Sequence, residues 1–522
     1  MLIFNDKSYY TMNKIKKYIL LIFITLFGIS CDQEAFFELE RPNQFPWTNV
    51  NELELGVREL YFRLNRAPWD HPFGTVALKN FTESDIAVFL PQFVGGSSSA
   101  DYYNRKFSEA PSVNEMEGTF VRLYEMITAC NGPLQMLNDT EETGEDPFSS
   151  MTEADRNKVK QFKGELLYMR GLTYWYLARM YAPPFDPNGS NDGRFFTFRR
   201  DFSTSSTELK EPVLGSVAEV YAAIEEDWTN AKALLFEDPS SLVSAFNLRA
   251  RANKYAASAM LMRFYFITGE HDKAEAECNY IINSGVYDLN EEPIQAFNKN
   301  GADGWGSEVI WQTACDASSG AYGRMESVYS RNHYASDRQS AWSSQAMSLW
   351  AMKQVGWMAS DLSETEEAQN DLRYQQIYYR YETDPRDASV GPLVWSYKWF
   401  RAPDARRSNR PLIRLAEVYL TRSIIRFNNN DKEGAAADLN VVRNRAGLDN
   451  IEANELTAEM IHNERIKEMA TENGDRTYYL IGLQLPIGIG DRNPGNFSPV
   501  QPPYSEYYWQ VPAVEQNQNL AY

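Results

Sequence analysis

Apolar residues return every three or four positions over most of this chain, and that rhythm stops in one long stretch in its second half. The clearest rhythmic segment opens at Ser216. Glu219 lies three residues on, completing a capping box, and Val217, Val220, Tyr221, Ile224, Trp228, Ala231, Leu234 and Leu235 then fall on one stripe. A helix is predicted there. Met116, Phe120, Leu123, Ile127 and Leu134 keep the same spacing, and Glu165 to Tyr181 continues it until Pro183 and Pro184 remove the donors a helix needs.

Two later segments share one plan. Asn253 to Thr268 reads as a helix ended by Gly269, and a second helix follows with Ala274, Cys278 and Ile281 on one face. Pro411 to Phe427 and then Asp431 to Arg445 repeat it, with Ala435, Leu439 and Val442 at the same spacing. Ala257 and Ala416 stand at equivalent positions, small enough to let paired helices approach closely. Helix pairs of about 34 residues with small residues at the crossing follow the tetratricopeptide plan. Two unrelated helical hairpins would give the same pattern, and that alternative stays open. The expected fold is mainly α, a scaffold of tetratricopeptide-like helix pairs, with a loop-rich irregular insertion carrying short strands.

That insertion is Pro293 to Arg410, where periodicity is weak and Gly, Ser and Asp are frequent. It holds Trp305, Trp311, Trp342, Trp350, Trp357, Trp395 and Trp399, seven of the twelve tryptophans in the chain. Rings concentrated in loops suit a recognition surface, and they suit the core of a small subdomain equally well. Val309 to Gln312 reads as a strand, so Trp311 is expected to be packed. Trp305, Tyr322, Tyr329, Tyr334 and Trp342 are the better candidates for ligand contact, with Trp69, Tyr102 and Tyr103 as lesser ones from the N-terminal part.

The N-terminus changes the picture. Lys14, Lys16 and Lys17 precede an apolar stretch from Tyr18 to Ile29, then Ser30 and Cys31. The stretch falls well short of the roughly 20 residues a spanning helix needs, so it reads as a cleaved lipoprotein signal, whether the start is Met1 or Met12; a plain secretory signal, a short uncleaved anchor and a chance cysteine are the alternatives. Residues 1–30 are then a signal peptide, Cys31 the lipidated residue, 31–50 an acidic tether and 51–522 a single folded domain. Its helical core covers about 51–292 and 411–522, with the ligand-binding insertion at about 293–410. The charged residues of 1–30 are Lys7, Lys14, Lys16, Lys17 and Asp6, so their removal takes the net charge from −20 to about −23. Such a surface repels phosphate backbones along its length, so no nucleic-acid partner is expected.

Chemistry is hard to find. Beyond Cys31 there are only Cys130, Cys278 and Cys315, too scattered for a disulfide framework or a metal cluster. The four histidines, His71, His271, His333 and His462, are not paired at ligand spacing, and nucleophile-elbow, phosphate-loop and zinc-protease motifs are missing. No enzyme is expected. Asp186, Asn188, Ser190 and Asp192 before Gly193 resemble a calcium loop superficially, but Thr197 stands where its closing glutamate would. A solvated turn explains the run, no cofactor is expected, and calcium is the one ion the pattern allows. His462, Glu464, Arg465, Lys467 and Glu468 read as a solvated helical face laced with ion pairs.

Several ordered segments together resemble the SusD/RagB family of outer-membrane nutrient-binding lipoproteins. Leu166 to Tyr181 (LLYMRGLTYWYLARMY), followed by Pro183, looks like the family's Arg-centred aromatic helix. Pro411 to Arg422 (PLIRLAEVYLTR) is similar to its Ile-Arg-x-Ala-Glu-x-x-Leu helix. Leu439 to Leu448 (LNVVRNRAGL) matches its Asn-x-x-Arg-x-Arg-Ala-Gly-Leu segment, and HNERIKEM with ENGDRTYYL looks like its His-Glu-Arg stretch and Gly-x-Arg turn. Val511 to Asn519 resembles its Pro-x-x-Glu-x-x-x-Asn ending. Tyr479, where the family often has Asp, and the terminal Asn-Leu-Ala-Tyr depart from the pattern. The resemblance implies a lipid-anchored protein facing the cell exterior that captures a nutrient, commonly an oligosaccharide, for a SusC-like TonB-dependent transporter. A RagB-like peptide binder and a protein-binding helical scaffold are the alternatives. None of the matched segments is a binding site, so no ligand contact carries over.

Overall fold

Side-chain caps set where the helices start. Thr152 with Asp155 and Ser216 with Glu219 exchange hydrogen bonds across a first turn, while Asn253, Asp431 and Thr457 each accept from a backbone N–H three residues on. The structure, a computed structural model, describes residues 47–64, 72–89, 98–107, 113–202, 212–245, 247–297, 299, 301, 304–314, 345–383, 391–396, 398, 409–518 and 521. In chain order these hold α1 (Val50–Leu64), α2 (Pro72–Glu83), β1 (Ala87–Phe89), α3 (Ser98–Tyr103), α4 (Val113–Thr143), α5 (Glu153–Tyr181), β2 (Arg194–Thr197), β3 (Leu214–Ser216), α6 (Val217–Leu234), α7 (Lys254–Ile267) and α8 (His271–Asn283). The insertion supplies β4 (Val309–Thr313), β5 (Gln345–Met347), α9 (Leu349–Gln354), α10 (Glu366–Asn370), α11 (Leu372–Ile377), β6 (Tyr378–Tyr381), β7 (Leu393–Ser396) and β8 (Arg410–Arg414). Then come α12 (Leu415–Asn428), α13 (Lys432–Arg445), α14 (Ala458–Met469), α15 (Asp475–Gly482) and α16 (Ala513–Gln518).

Neighbours in sequence are neighbours in space. The helices pack in the order α4, α5, α6, α7 and α8, and α8 then meets α12, which carries α13 and α14. The mainly α scaffold is therefore present, and the second helix pair sits on the first. Ala257, Ala274, Cys278, Ala416, Ala435, Leu439 and Val442 are all fully buried, as the shared spacing requires. One close crossing lies between α5 and α6. At Gly171 a Cβ atom would come within 2.8 Å of Trp228 Nε1, and that nitrogen donates to the Tyr168 carbonyl at 3.1 Å. Arg170 locks the same pair of helices through two hydrogen bonds to Asp227, 2.9 and 2.8 Å long.

The segment from Pro411 does not begin as a helix. Residues Arg410–Arg414 form β8, antiparallel to β4, and α12 starts only at Leu415. An apolar run of four or five residues fits either element, and the pairing with Val309–Thr313 decides it. The insertion is also less separate than its composition suggests. Its four-stranded antiparallel sheet, ordered β1-β5-β7-β6, takes β1 from the N-terminal part.

The charged stretch on α14 corrects a second expectation. Glu464, Arg465, Lys467 and Glu468 are buried, not solvated. Arg414, Arg445 and Arg373 converge on Glu468, while Arg414 and Lys398 share Glu472. Burial alone would raise the pKa of Glu468, but the three guanidinium groups outweigh it and hold the carboxyl well below the usual range. The network joins β8, α11, α13, α14 and Lys398 beyond β7. Charge thus fastens the insertion to the scaffold from inside.

Candidate functional site

Strand alternation sorts the four-stranded sheet into two faces. Tyr378, Ser396, Val394, Met347, Ala87 and Phe89 share the inner face. Tyr378 Oη donates to the Lys467 carbonyl, and Thr471 Oγ1 donates to Ser396 Oγ at 2.9 Å, so this side rests on α14 and the turn after it. Val88, Ala346, Leu393, Trp395, Tyr379 and Tyr381 share the other face through the pairs Val88–Ala346, Tyr379–Trp395 and Tyr381–Leu393. Ala346, Tyr381, Leu393 and Trp395 form a cluster of their own, with Val88 packed against it. Three aromatic residues share that face, Tyr379 and Tyr381 with ring centroids 4.6 Å apart and Trp395 across the ladder from Tyr379. Trp395 and Tyr381 are buried, while Tyr379 on the edge strand is 39% exposed. Of the three rings, Tyr379 is the one that reaches solvent.

Sequence reasoning did not single out Tyr379 or Tyr381, although their alternation in YYRY was a readable strand signal. Among its own candidates, Trp305 is half-buried in a loop whose Gly304 carbonyl accepts from Gln312 and Asn409. Tyr103 is half-buried, with Arg492 4.1 Å from its ring centroid and Phe89 at 6.0 Å. Burial raises the Tyr103 pKa, and burial followed by the charge of Arg105 brings Arg492 down to about 10. Tyr102 is corrected outright. It is fully buried, edge-on to Trp509 at 5.2 Å, and belongs to the core. Cys31, Trp69, Tyr322, Tyr329, Tyr334 and Trp342 lie outside the described residues.

The tryptophan enrichment divides. Trp311, Trp357 and Trp395 are core residues, and Trp305 and Trp350 are half-buried. Trp311 donates to the Ala250 carbonyl and Trp357 to Asp371, so the indoles anchor the insertion more than they display it. The calcium-like run folds into a turn bonded to itself: Asp186 Oδ1 accepts from the Asn188 N–H, and Asn191 Nδ2 donates to the Asp186 carbonyl. Among the described residues no three His, Cys, Asp or Glu side chains gather as a metal site. Burial pushes the Cys130 thiol up to about 12 and raises that of Cys278 as well, which leaves both unreactive.

Residues 92–266 match a family model described as SusD-like, starch-binding and associating with the outer membrane, and residues 393–478 match the model of the SusD family. The chain belongs to the SusD-like family. Solved SusD-like structures agree in fold over nearly the whole length. A SusD superfamily protein from Bacteroides thetaiotaomicron is 19% identical, with a TM-score of 0.72 over 90% of this chain and 98% of that one. A SusD-like carbohydrate binding protein from Bacteroides vulgatus is 18% identical, with a TM-score of 0.67 over 91% and 97%. A laminarin binding SusD-like protein is 18% identical, with a TM-score of 0.65 over 91% and 98%. No curated protein matches the chain.

Proposed function

We propose that this SusD-like chain is a cell-surface lipoprotein that captures a glycan and delivers it to a SusC-like, TonB-dependent outer-membrane transporter, without catalysing a reaction. The observation that carries the reading is the match of residues 92–266 to a model of starch-binding proteins associating with the outer membrane. The carbohydrate- and laminarin-binding names of structural neighbours support the ligand class. An exposed tyrosine beside two further rings on the outer sheet face suits it too, because apolar faces of sugar rings lie well against aromatic ones. Anchoring would rest on lipid at Cys31. Among the described residues no helix is long and apolar enough to cross a membrane.

Isothermal titration calorimetry against a panel containing starch, laminarin and other polysaccharides tests the reading. Saturable heat with at least one glycan is expected. Silence across the panel, with heat on adding oligopeptides, would replace it by the peptide-binding alternative.

A further inference from the structure

Buried arginines in this chain come with partners. Of the nine buried among the described residues, seven form ion pairs with carboxylates, and Arg492 donates to four backbone carbonyls. Arg410 is the ninth. It is 7% exposed, it makes no ion pair among the described residues, and its Nη2 is buried without a hydrogen-bond partner. Thr313, the residue directly across the β4–β8 ladder, is 5% exposed, and its hydroxyl is buried without a partner as well.

Two buried polar atoms without partners thus stand on cross-strand neighbours at the last rung of one ladder. Leaving a guanidinium nitrogen out of water with no acceptor is costly. Arg105, Arg373, Arg380 and Arg445 each leave one such nitrogen too, but all four place other nitrogens in hydrogen bonds. The rung itself is held firmly. Gln312 and Asn409, the neighbours of Thr313 and Arg410, alternate to the other side and both donate to the Gly304 carbonyl, at 2.9 and 2.7 Å. Gln312 also donates to Asn247 at 3.2 Å. A fixed guanidinium fork beside a hydroxyl matches a compact anion that offers two or three oxygens. The net charge of −20 does not forbid this, because at physiological salt its reach is only about 8 Å.

We propose that Arg410 and Thr313 form a subsite for an anionic substituent on a sugar, either a uronate carboxylate or a sulfate ester. The inference rests on the glycan-binding reading above and narrows its ligand class. Calorimetry on the full chain with matched pairs tests it: oligogalacturonate against its methyl ester, and a sulfated oligosaccharide against its desulfated twin. At least one charged member should bind about tenfold tighter than its neutral twin, and which pair shows the difference identifies the source of the anion. Arg410→Gln should erase that preference, Arg410→Lys should keep part of it, and Thr313→Val should weaken it without touching neutral glycans. Equal affinity for both members of each pair overturns the subsite, as does a preference that survives in both Arg410→Gln and Thr313→Val. Should Arg410→Gln fail to fold, the Thr313→Val arm decides alone. Neutral binding with no charged preference removes only the subsite, whereas no glycan binding at all removes the parent reading.

Discussion

His462 shows how one side chain couples this fold to pH. Its Nδ1 lies 2.7 Å from Tyr479 Oη, and burial, reinforced by Arg476, lowers its pKa to about 4. An unfolded histidine titrates near 6.5, so between about pH 6.5 and 4 the unfolded chain takes up a proton that the folded chain refuses. Stability contributed by neutral His462 is therefore complete above that window and is lost as pH falls through it. Urea midpoints measured at pH 7 and pH 4.5 should drop further for the native chain than for His462→Gln. Equal drops would show that His462 does not carry the dependence. Sequence placed this residue on a helix correctly and on a solvated face wrongly. Charges spaced three and four apart look the same whether water or Arg373, Arg414 and Arg445 receive them, and those partners come from distant elements.

At the scale of elements, caps and prolines were legible because their partners are local. Ser216 with Glu219, Asn253, Asp431 and Pro183 all act where the sequence indicates. Strand β8 was not legible, since Pro411 to Arg414 becomes a strand only by pairing with β4. The crossing of α5 and α6 offers the sharpest test of helix packing. Gly171→Ala would push a methyl group into Trp228, and overpacking of this kind costs typically about 1–3 kcal/mol. Thermal unfolding should register that loss with little change in helix content. An unchanged melting temperature would mean that the indole can move aside, at the expense of its bond to Tyr168.

For the whole molecule, the scaffold was readable and the site was not. Helical periodicity survives in a single sequence, whereas the aromatic surface depends on which face of a four-stranded sheet each ring occupies. Tyr379 is displayed and Trp395 is covered although they are paired across the same two strands. Lys398 carries a practical consequence of the same architecture. Its ammonium donates to the carbonyls of Glu468 and Ala470 and to Glu472, at 2.6, 2.8 and 2.6 Å, and no part of the side chain meets solvent. Acylating reagents should modify exposed Lys160 and Lys432 within minutes and leave Lys398 untouched until the insertion lifts from the helices, a difference that peptide mass mapping resolves. Labelling of Lys398 at the rate of Lys432 would refute that seal. A single amine, silent while the two parts are joined, would then act as a chemical reporter of their separation.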